Sequence, residues 1–181
     1  MRAGGHPVSE RPVIASLLNE ARENTEEIIE ALWPHSRRKG HKTRYNRKKV
    51  RRQYLSIAKQ KRPRASKRRA AIRRQLECIE HNLQDIGDVL LEVGLEVLPE
   101  RYLARLIVIG ELYRQQSAMV TNRTHQCDGR IVSLRQPHIR PIVRGKAGRP
   151  YEFGQKLALS VVKGTPLCND KATTTSMKAS R

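Results

Sequence analysis

The strongest constraint on the fold is an apolar repeat in the middle of the chain. Its members alternate steps of four and three through three heptads: Ile72, Leu76, Ile79, Leu83, Ile86, Leu90 and Val93. This spacing places them on one face of an α-helix. We therefore predict a long helix from about Ser66 to Val97, because Pro99 cannot continue it. Gly87 and Gly94 weaken this helix locally.

A second apolar stripe follows Pro99 at helical spacing. Its members are Leu103, Leu106, Ile107, Gly110 and Tyr113. Two amphipathic helices joined by a short connection favour an antiparallel helical hairpin, in which the two stripes bury each other. The alternative is dimerisation through the heptads, although three heptads are near the lower limit for an independent coiled coil.

Two further helices are predicted nearer the N-terminus. Pro12–Trp33 carries apolar residues at helical spacing with acidic residues between them, and Pro34 ends it. It is either one helix or two short ones that meet near Asn24–Thr25, where either residue would cap the second piece. His35–Asn46 is predicted as a loop or arm. A short basic helix then runs from Arg47 and stops near Pro63.

The composition changes after about Ser117, where Gly, Pro and β-branched residues replace the helical pattern. Short strands are predicted at Arg130–Leu134 and Ile139–Val143, and a longer alternating strand at Tyr151–Val162. A turn at Gly145–Pro150 separates the last two. The tail Lys163–Arg181 is predicted to be disordered.

These patterns predict a mainly α protein with three parts. Residues 1–119 form a basic helical region that contains the hairpin. Residues 120–162 supply two or three β-strands, and residues 163–181 form the tail.

Charge is concentrated in one stretch of the chain. Between Arg37 and Arg74 there are nineteen Lys or Arg residues and no Asp or Glu, within a chain of 37 basic residues and net charge +20. Such a field indicates a polyanionic partner, most readily nucleic acid, and the alternative is a solvated charge run. Tyr45 and Tyr54 are available for stacking on bases. The residues predicted to contact phosphate are Arg44, Arg47, Lys48, Lys49, Arg51, Arg52, Arg68, Arg69 and Arg73.

Cysteine usage and the absence of targeting segments indicate a cytoplasmic protein. Three widely spaced cysteines do not form a disulfide framework, and we predict that Cys78 is buried beside the core. The first residues have no apolar secretory segment, and no apolar run is long enough to span a membrane. His125 and Cys127 lack the partners of a zinc site.

Two blocks of the sequence resemble bacterial insertion-sequence transposases of the DDE type. RIVSLRQPHIRPIVRGKAGRPYEFGQKLALSVV, residues 130–162, is similar to the segment that opens their ribonuclease-H-like catalytic domain. Upstream, residues 45–83 resemble their basic helical region, and the L-Y-R-Q-Q motif at residues 112–116 follows in the same order. The resemblance covers roughly residues 20–162. It implies DNA binding and an incomplete ribonuclease-H-like domain after the helices.

The resemblance also implies which catalytic residues are present. Asp128 matches the first acidic residue of the family, whereas the second metal ligand and the final Glu lie beyond the position of Val162, where this sequence departs from the family pattern. Complete relatives use Mg²⁺; this chain is expected to hold no cofactor. We therefore expect a truncated transposase that binds DNA without catalysing transposition alone. An intact transposase copy is a second candidate partner.

Two alternatives remain open on the sequence alone. A non-enzymatic RNA-binding or ribosome-associated protein would have the same size and charge, although it has no reason to carry the 130–162 block. An active enzyme completed by another chain is the other alternative.

Overall fold

The computed structural model describes residues 11–36, 46–61, 63–124, 127–146, 149–154, 157–162 and 165–171. This part of the chain is mainly helical, as predicted, and the chain divides into two units, Met1–Gln126 and Cys127–Arg181. The helices of the first unit are α1 (Arg11–Leu32), α2 (Arg47–Ala58), α3 (Ala65–Val93) and α4 (Glu100–Thr121), with a single 3-10 turn at Trp33–His35.

Helix α1 is continuous, so the alternative of two short helices is wrong. Asn24 and Thr25 do not cap a second piece. The Asn24 side-chain amide donates to the Glu20 carbonyl at 2.8 Å, and the Thr25 hydroxyl donates to the Arg22 carbonyl at 2.8 Å. Both side chains therefore bond back to the preceding turn of their own helix, which such residues do when they lie inside a helix.

Helix α3 ends at Val93, four residues before the predicted end, because Gly94 leaves the helical conformation. Gly94 has φ 85°, and its N–H donates to the Leu90 carbonyl at 2.9 Å. A Cβ at this position would lie 2.7 Å from a carboxylate oxygen of Glu96. Glycine adopts this conformation at little cost, so it terminates the helix, and residues 94–99 form the connection to α4.

The helices form a bundle whose successive members alternate in direction. Near their ends, α1 and α3 share an apolar core with the start of α4: Ile28, Ile29, Leu32, Ile86, Val89, Leu98 and Tyr102. One turn or so earlier, the Asn82 amide donates to the Thr25 hydroxyl at 2.8 Å, so α1 and α3 run parallel. Tyr102 Oη donates to Glu27 at 2.9 Å, which places the start of α4 beside the end of α1. Helix α4 is therefore antiparallel to both, and the predicted hairpin of α3 and α4 is present.

Helix α3 buries more than the heptad stripe. Three members of the heptad stripe, Leu76, Ile79 and Ile86, are buried in the core, as the hairpin prediction expects. A neighbouring line of residues is buried as well: Ala71, Gln75, Cys78, Asn82 and Val89. The reason is that α3 packs most extensively against α1, a partner that the hairpin prediction did not include.

The apolar stripe predicted for α4 is confirmed in part: Leu103 and Leu106 pack against the core, whereas Ile107 is exposed. Ile107 is 75% exposed, whereas the buried residues of the helix are Tyr102, Ile109, Leu112, Gln115, Gln116 and Met119. Apolar residues occur on several sides of α4, so periodicity alone does not select the face that packs. None of the helices in the described ranges is long and apolar enough to cross a bilayer.

The second unit contains two antiparallel hairpins. Strand β1 (Arg140–Lys146) pairs with β2 (Arg149–Gly154), and β3 (Leu157–Val162) pairs with β4 (Thr165–Lys171). The single strand predicted over residues 151–162 covers β2 and β3, which pair with different strands, and residues 155–156 between them lie outside the described residues. Residues 130–134, predicted as a strand, have no strand structure.

Strand β4 lies inside the segment predicted to be disordered. Its ladder with β3 satisfies backbone groups that the sequence pattern left without a partner. Residues 172–181, the rest of the predicted tail, lie outside the described residues. The boundary between the two units lies between residues 126 and 127 of the chain, whereas the sequence analysis predicted it between residues 119 and 120. Helix α4 and the turn after it account for the difference.

Candidate nucleic-acid interface

The outward face of α2 is basic, and two buried residues fix its orientation. Val50 is 2% exposed and Ile57 is 7% exposed, and they lie two helical turns apart. The residues on the other sides of the helix therefore face solvent. The exposed basic side chains of α2 are Lys48, Lys49, Arg51 and Arg52.

The first turns of α3 continue this basic face. Ala71 and Gln75 are 3% and 1% exposed and turn toward the bundle. Arg69 and Arg73 lie on the exposed side of the same turns. The connection from α2 and the start of α3 add four more exposed cations: Lys59, Lys61, Arg64 and Lys67.

We refer to these exposed cations together as the basic surface. Its members are Lys48, Lys49, Arg51, Arg52, Lys59, Lys61, Arg64, Lys67, Arg69 and Arg73. Within the described part of the chain, none of them forms an ion pair with a carboxylate. Their charges are therefore available to an external anion, and dissolved salt screens them.

Arg47 differs from the other residues predicted to contact phosphate. Its Nε lies 2.6 Å from Glu26 Oε2, and its Nη1 lies 3.1 Å from Glu30 Oε1. Two carboxylates of α1 thus hold the guanidinium of Arg47 and neutralise it. Local sequence does not predict this pairing, because both acids lie on another helix.

The remaining predicted residues are less exposed or outside the described residues. Arg68 is half-buried, as is Tyr54. Arg44 and Tyr45 lie outside the described ranges. Of the nine residues predicted to contact phosphate, six are therefore exposed members of the basic surface.

The basic character of α3 ends within the helix. The Arg74 Nη1 lies 3.9 Å from Glu77 Oε2, and both side chains are partly exposed. From Glu77 onward the exposed residues of α3 include acidic ones, among them Glu77, Glu80 and Asp88. The charge boundary confines the basic surface to α2, the connection and about the first three turns of α3.

Asp128, the residue that the sequence resemblance matches to a first catalytic acid, is exposed in a turn of the second unit. The thiol of its neighbour Cys127 donates to the Asp128 carbonyl at 3.5 Å. Among the residues with a described placement, no group of three or more His, Cys, Asp or Glu side chains is arranged to hold a metal ion.

Sequence reasoning missed several cations that the fold exposes. Arg64 and Lys67 belong to the basic surface and are recognisable as the first turn of α3 once Pro63 is taken as the helix boundary. Arg123 was missed for another reason. It follows α4, far from the basic stretch in sequence, and only the antiparallel packing brings it to the start of α3, where it lines a cleft with Arg69 and Arg73.

Cys78 is buried, as predicted, with 1% exposure. Burial and, to a smaller extent, the nearby Glu26 raise the pKa of its thiol to about 11, while Arg22 acts in the opposite direction. A thiol with such a pKa is almost entirely protonated at neutral pH, so Cys78 is a packing residue and a poor nucleophile.

Comparisons with known proteins give no further assignment. No family model matches the chain, and neither the curated proteins nor the solved structures contain a significant match.

Proposed function

We propose that this chain binds DNA through the basic surface. The observation that carries the proposal is the contrast in pairing: Arg47 is neutralised by Glu26 and Glu30, whereas the ten cations of the basic surface have no carboxylate partner among the described residues. Clustered like charges repel each other and weaken the fold, so such a cluster is expected to serve a polyanionic partner.

The dimensions of the basic surface suit a nucleic-acid backbone. Helix α2 has 12 residues, so it is about 18 Å long. Duplex DNA presents one phosphate charge per 1.7 Å of axis, so a segment of this length carries about ten phosphates. Lys and Arg contacts to them would provide affinity without reading sequence, because phosphates are the same at every base pair.

The finer proposal is a truncated insertion-sequence transposase that retains the DNA-binding part. The resemblance of residues 45–83 and 130–162 to DDE transposases supports this, because the basic surface falls within the first of these blocks. The same resemblance assigns the second and third acidic residues to a region where this sequence departs from the family. We propose that the chain therefore does not catalyse strand transfer alone, since two-metal chemistry needs several converging carboxylates.

Salt-dependent binding tests the proposal. The dissociation constant for a 20-base-pair duplex would be measured by fluorescence anisotropy across a salt series. The logarithm of the binding constant should fall linearly with the logarithm of salt concentration, with a slope of roughly −5 or steeper if about six phosphates are neutralised. A slope near zero, or no binding at low salt, would refute DNA binding by this surface.

The partner and the chemistry are tested separately. A duplex RNA of the same sequence, bound at least tenfold more tightly than the DNA, would favour the RNA-binding alternative. Incubation of labelled insertion-sequence ends with the chain and Mg²⁺ should give no nicking or strand transfer. Products in that reaction would overturn the catalytic part of the proposal and leave the DNA-binding part standing.

A further inference from the structure

A cleft of about 560 Å³ opens where three helices of the first unit meet. The start of α1, the start of α3 and the end of α4 form its walls. Four of its lining side chains are apolar: Ile14, Ile72, Met119 and Val120. The volume falls within the range of roughly 300–1,000 Å³ that small-molecule sites occupy, and the walls have the apolar character of such sites.

The polar groups of the cleft are all able to donate hydrogen bonds to an anion. Arg69 and Arg73 approach from α3, and Arg123 approaches from the turn after α4. Among the described residues that line the cleft there is no Asp or Glu. Three guanidinium groups around apolar walls favour a ligand that carries negative charge at one end.

Gln116 gives an independent indication of a ligand. It lines the cleft, it is 2% exposed, and its Nε2 has no hydrogen-bond partner in the described part of the chain. A buried amide donor without a partner is costly, and most buried polar groups are paired. A ligand oxygen in the cleft would pair this donor.

We propose that the cleft binds an organic anion with an apolar body, such as an aromatic sulfonate, sulfate ester or carboxylate. The apolar body contacts Ile72 and Met119, and the anionic head lies among the guanidinium groups. Neither half of the ligand is sufficient, because an inorganic anion leaves the apolar walls unfilled and a neutral ring system leaves the three arginines unpaired. The cleft does not include α2, and the first tests of it contain no DNA.

The probe is 1-anilinonaphthalene-8-sulfonate, whose fluorescence rises in an apolar site. N-phenyl-1-naphthylamine, which has the same rings without the sulfonate, is the matched neutral probe. The full chain should bind the sulfonate saturably at one site and the neutral probe at least tenfold more weakly, since a hydrogen bond to a charged group contributes about that factor or more. Equal affinities for the two probes would overturn the proposal.

Three variants locate the probe. Ile72→Trp fills the cleft and should abolish saturable binding of the sulfonate. Arg123→Gln should weaken sulfonate binding about tenfold, and it should not disturb the fold because Arg123 is exposed. Lys48→Gln removes an equivalent charge from α2, outside the cleft, and should change the affinity by less than about twofold. Arg123→Gln keeps the test decisive if Ile72→Trp unfolds. Undiminished sulfonate binding by Arg123→Gln would contradict the assignment.

Arg69 and Arg73 belong both to the cleft and to the basic surface. If the proposed DNA binding holds, the sulfonate probe and DNA should compete, with each lowering the affinity for the other by the same factor. Displacement of the bound probe by a duplex measures this. DNA binding without displacement would show that the cleft and the DNA site are independent, whereas failure to bind DNA would leave the DNA-free probe result unaffected.

Discussion

Two charged regions of the helical unit differ in how their charges are paired. On α1, Glu23 and Glu26 pair with the buried Arg22, Glu27 pairs with Arg105 at 3.3 Å, and Glu30 pairs with Arg47 at 3.1 Å. On α2 and the start of α3, the basic surface has no carboxylate partner in the described part of the chain. The carboxylates of α1 form ion pairs within the fold, whereas the cations of the basic surface are exposed to solvent.

The difference separates the structural from the functional use of charge. The pairs of α1 connect three helices, because Arg47 comes from α2 and Arg105 from α4. The cations of the basic surface form no ion pair that links helices within the described ranges, and their mutual repulsion is unfavourable. Substitutions in the paired region should therefore change stability, and substitutions in the unpaired region should change binding.

The largest expected effect comes from neutralising four cations of the basic surface. The variant Lys48→Gln, Arg52→Gln, Arg69→Gln, Arg73→Gln should lose about three to four decades of DNA affinity at 0.1 M salt, because each phosphate contact contributes about 0.9 to the salt slope. Anisotropy titrations measure this change. Urea unfolding should show equal or slightly higher stability, since repulsion is relieved.

Arg101 of α4 provides the matched control, because it is exposed, lies outside the basic surface and forms no ion pair among the described residues. Arg101→Gln should keep the wild-type salt slope, whereas Lys48→Gln should lower its magnitude by about 1. Equal slopes for the two variants would mean that net charge, and not this surface, governs binding.

The next largest effect is expected at Arg22, which is 1% exposed and paired with Glu26. Arg22→Met should lower the free energy of unfolding by about 3 kcal/mol, because it leaves a nearly buried carboxylate without its closest partner. Urea denaturation measures the loss. Arg22→Met, Glu26→Leu should recover part of it, since removing both charges relieves the desolvation cost. A loss below about 0.5 kcal/mol for the single variant would contradict this role.

The reactivity of Cys78 tests the burial of the core beside Arg22 and Glu26, because both of these residues affect the pKa of its thiol. Because its pKa is about 11 instead of 9.0, its thiolate fraction at pH 8 is about a hundredfold lower than that of an ordinary thiol. Iodoacetamide should therefore modify Cys78 at least that much more slowly than a model thiol, as mass spectrometry can measure. The folded-state pKa is raised, so the stability due to the protonated thiol is present below pH 9 and falls as the pH rises toward 11. Fast alkylation of the folded chain would show that Cys78 is accessible.

The smallest effect is expected at Arg47. Its side chain is 41% exposed, so solvent screens its two ion pairs, and Arg47→Gln should lower stability by about 1 kcal/mol or less. Its effect on the DNA salt slope should be clearly smaller than that of Lys48→Gln, because Glu26 and Glu30 already neutralise the guanidinium. A slope change equal to that of Lys48→Gln would show that Arg47 releases α1 and contacts phosphate.

Local patterns in the sequence predicted the positions of the helices better than they predicted which helices pack against each other. The heptads located α3, because that pattern lies within one helix. The packing of α1 on α3 joins Thr25 to Asn82, residues that nothing in the local sequence relates. Ile107 was misplaced because α4 offers apolar residues on more than one side.

The same distinction applies to the candidate sites. The basic surface was predictable because its charges are consecutive in sequence. The neutralisation of Arg47 and the approach of Arg123 to Arg69 depend on contacts between helices. Such contacts follow from helix directions and rotations, which periodicity does not specify.

Lysine protection by DNA tests the central claim most directly. Lys48, Lys49, Lys59, Lys61 and Lys67 are exposed in the free chain, so a brief acetylation pulse should modify all five readily. With saturating duplex DNA, mass spectrometry should show their acetylation reduced several-fold relative to that of the free chain. Unchanged acetylation of the five lysines in the DNA-bound chain would contradict the account.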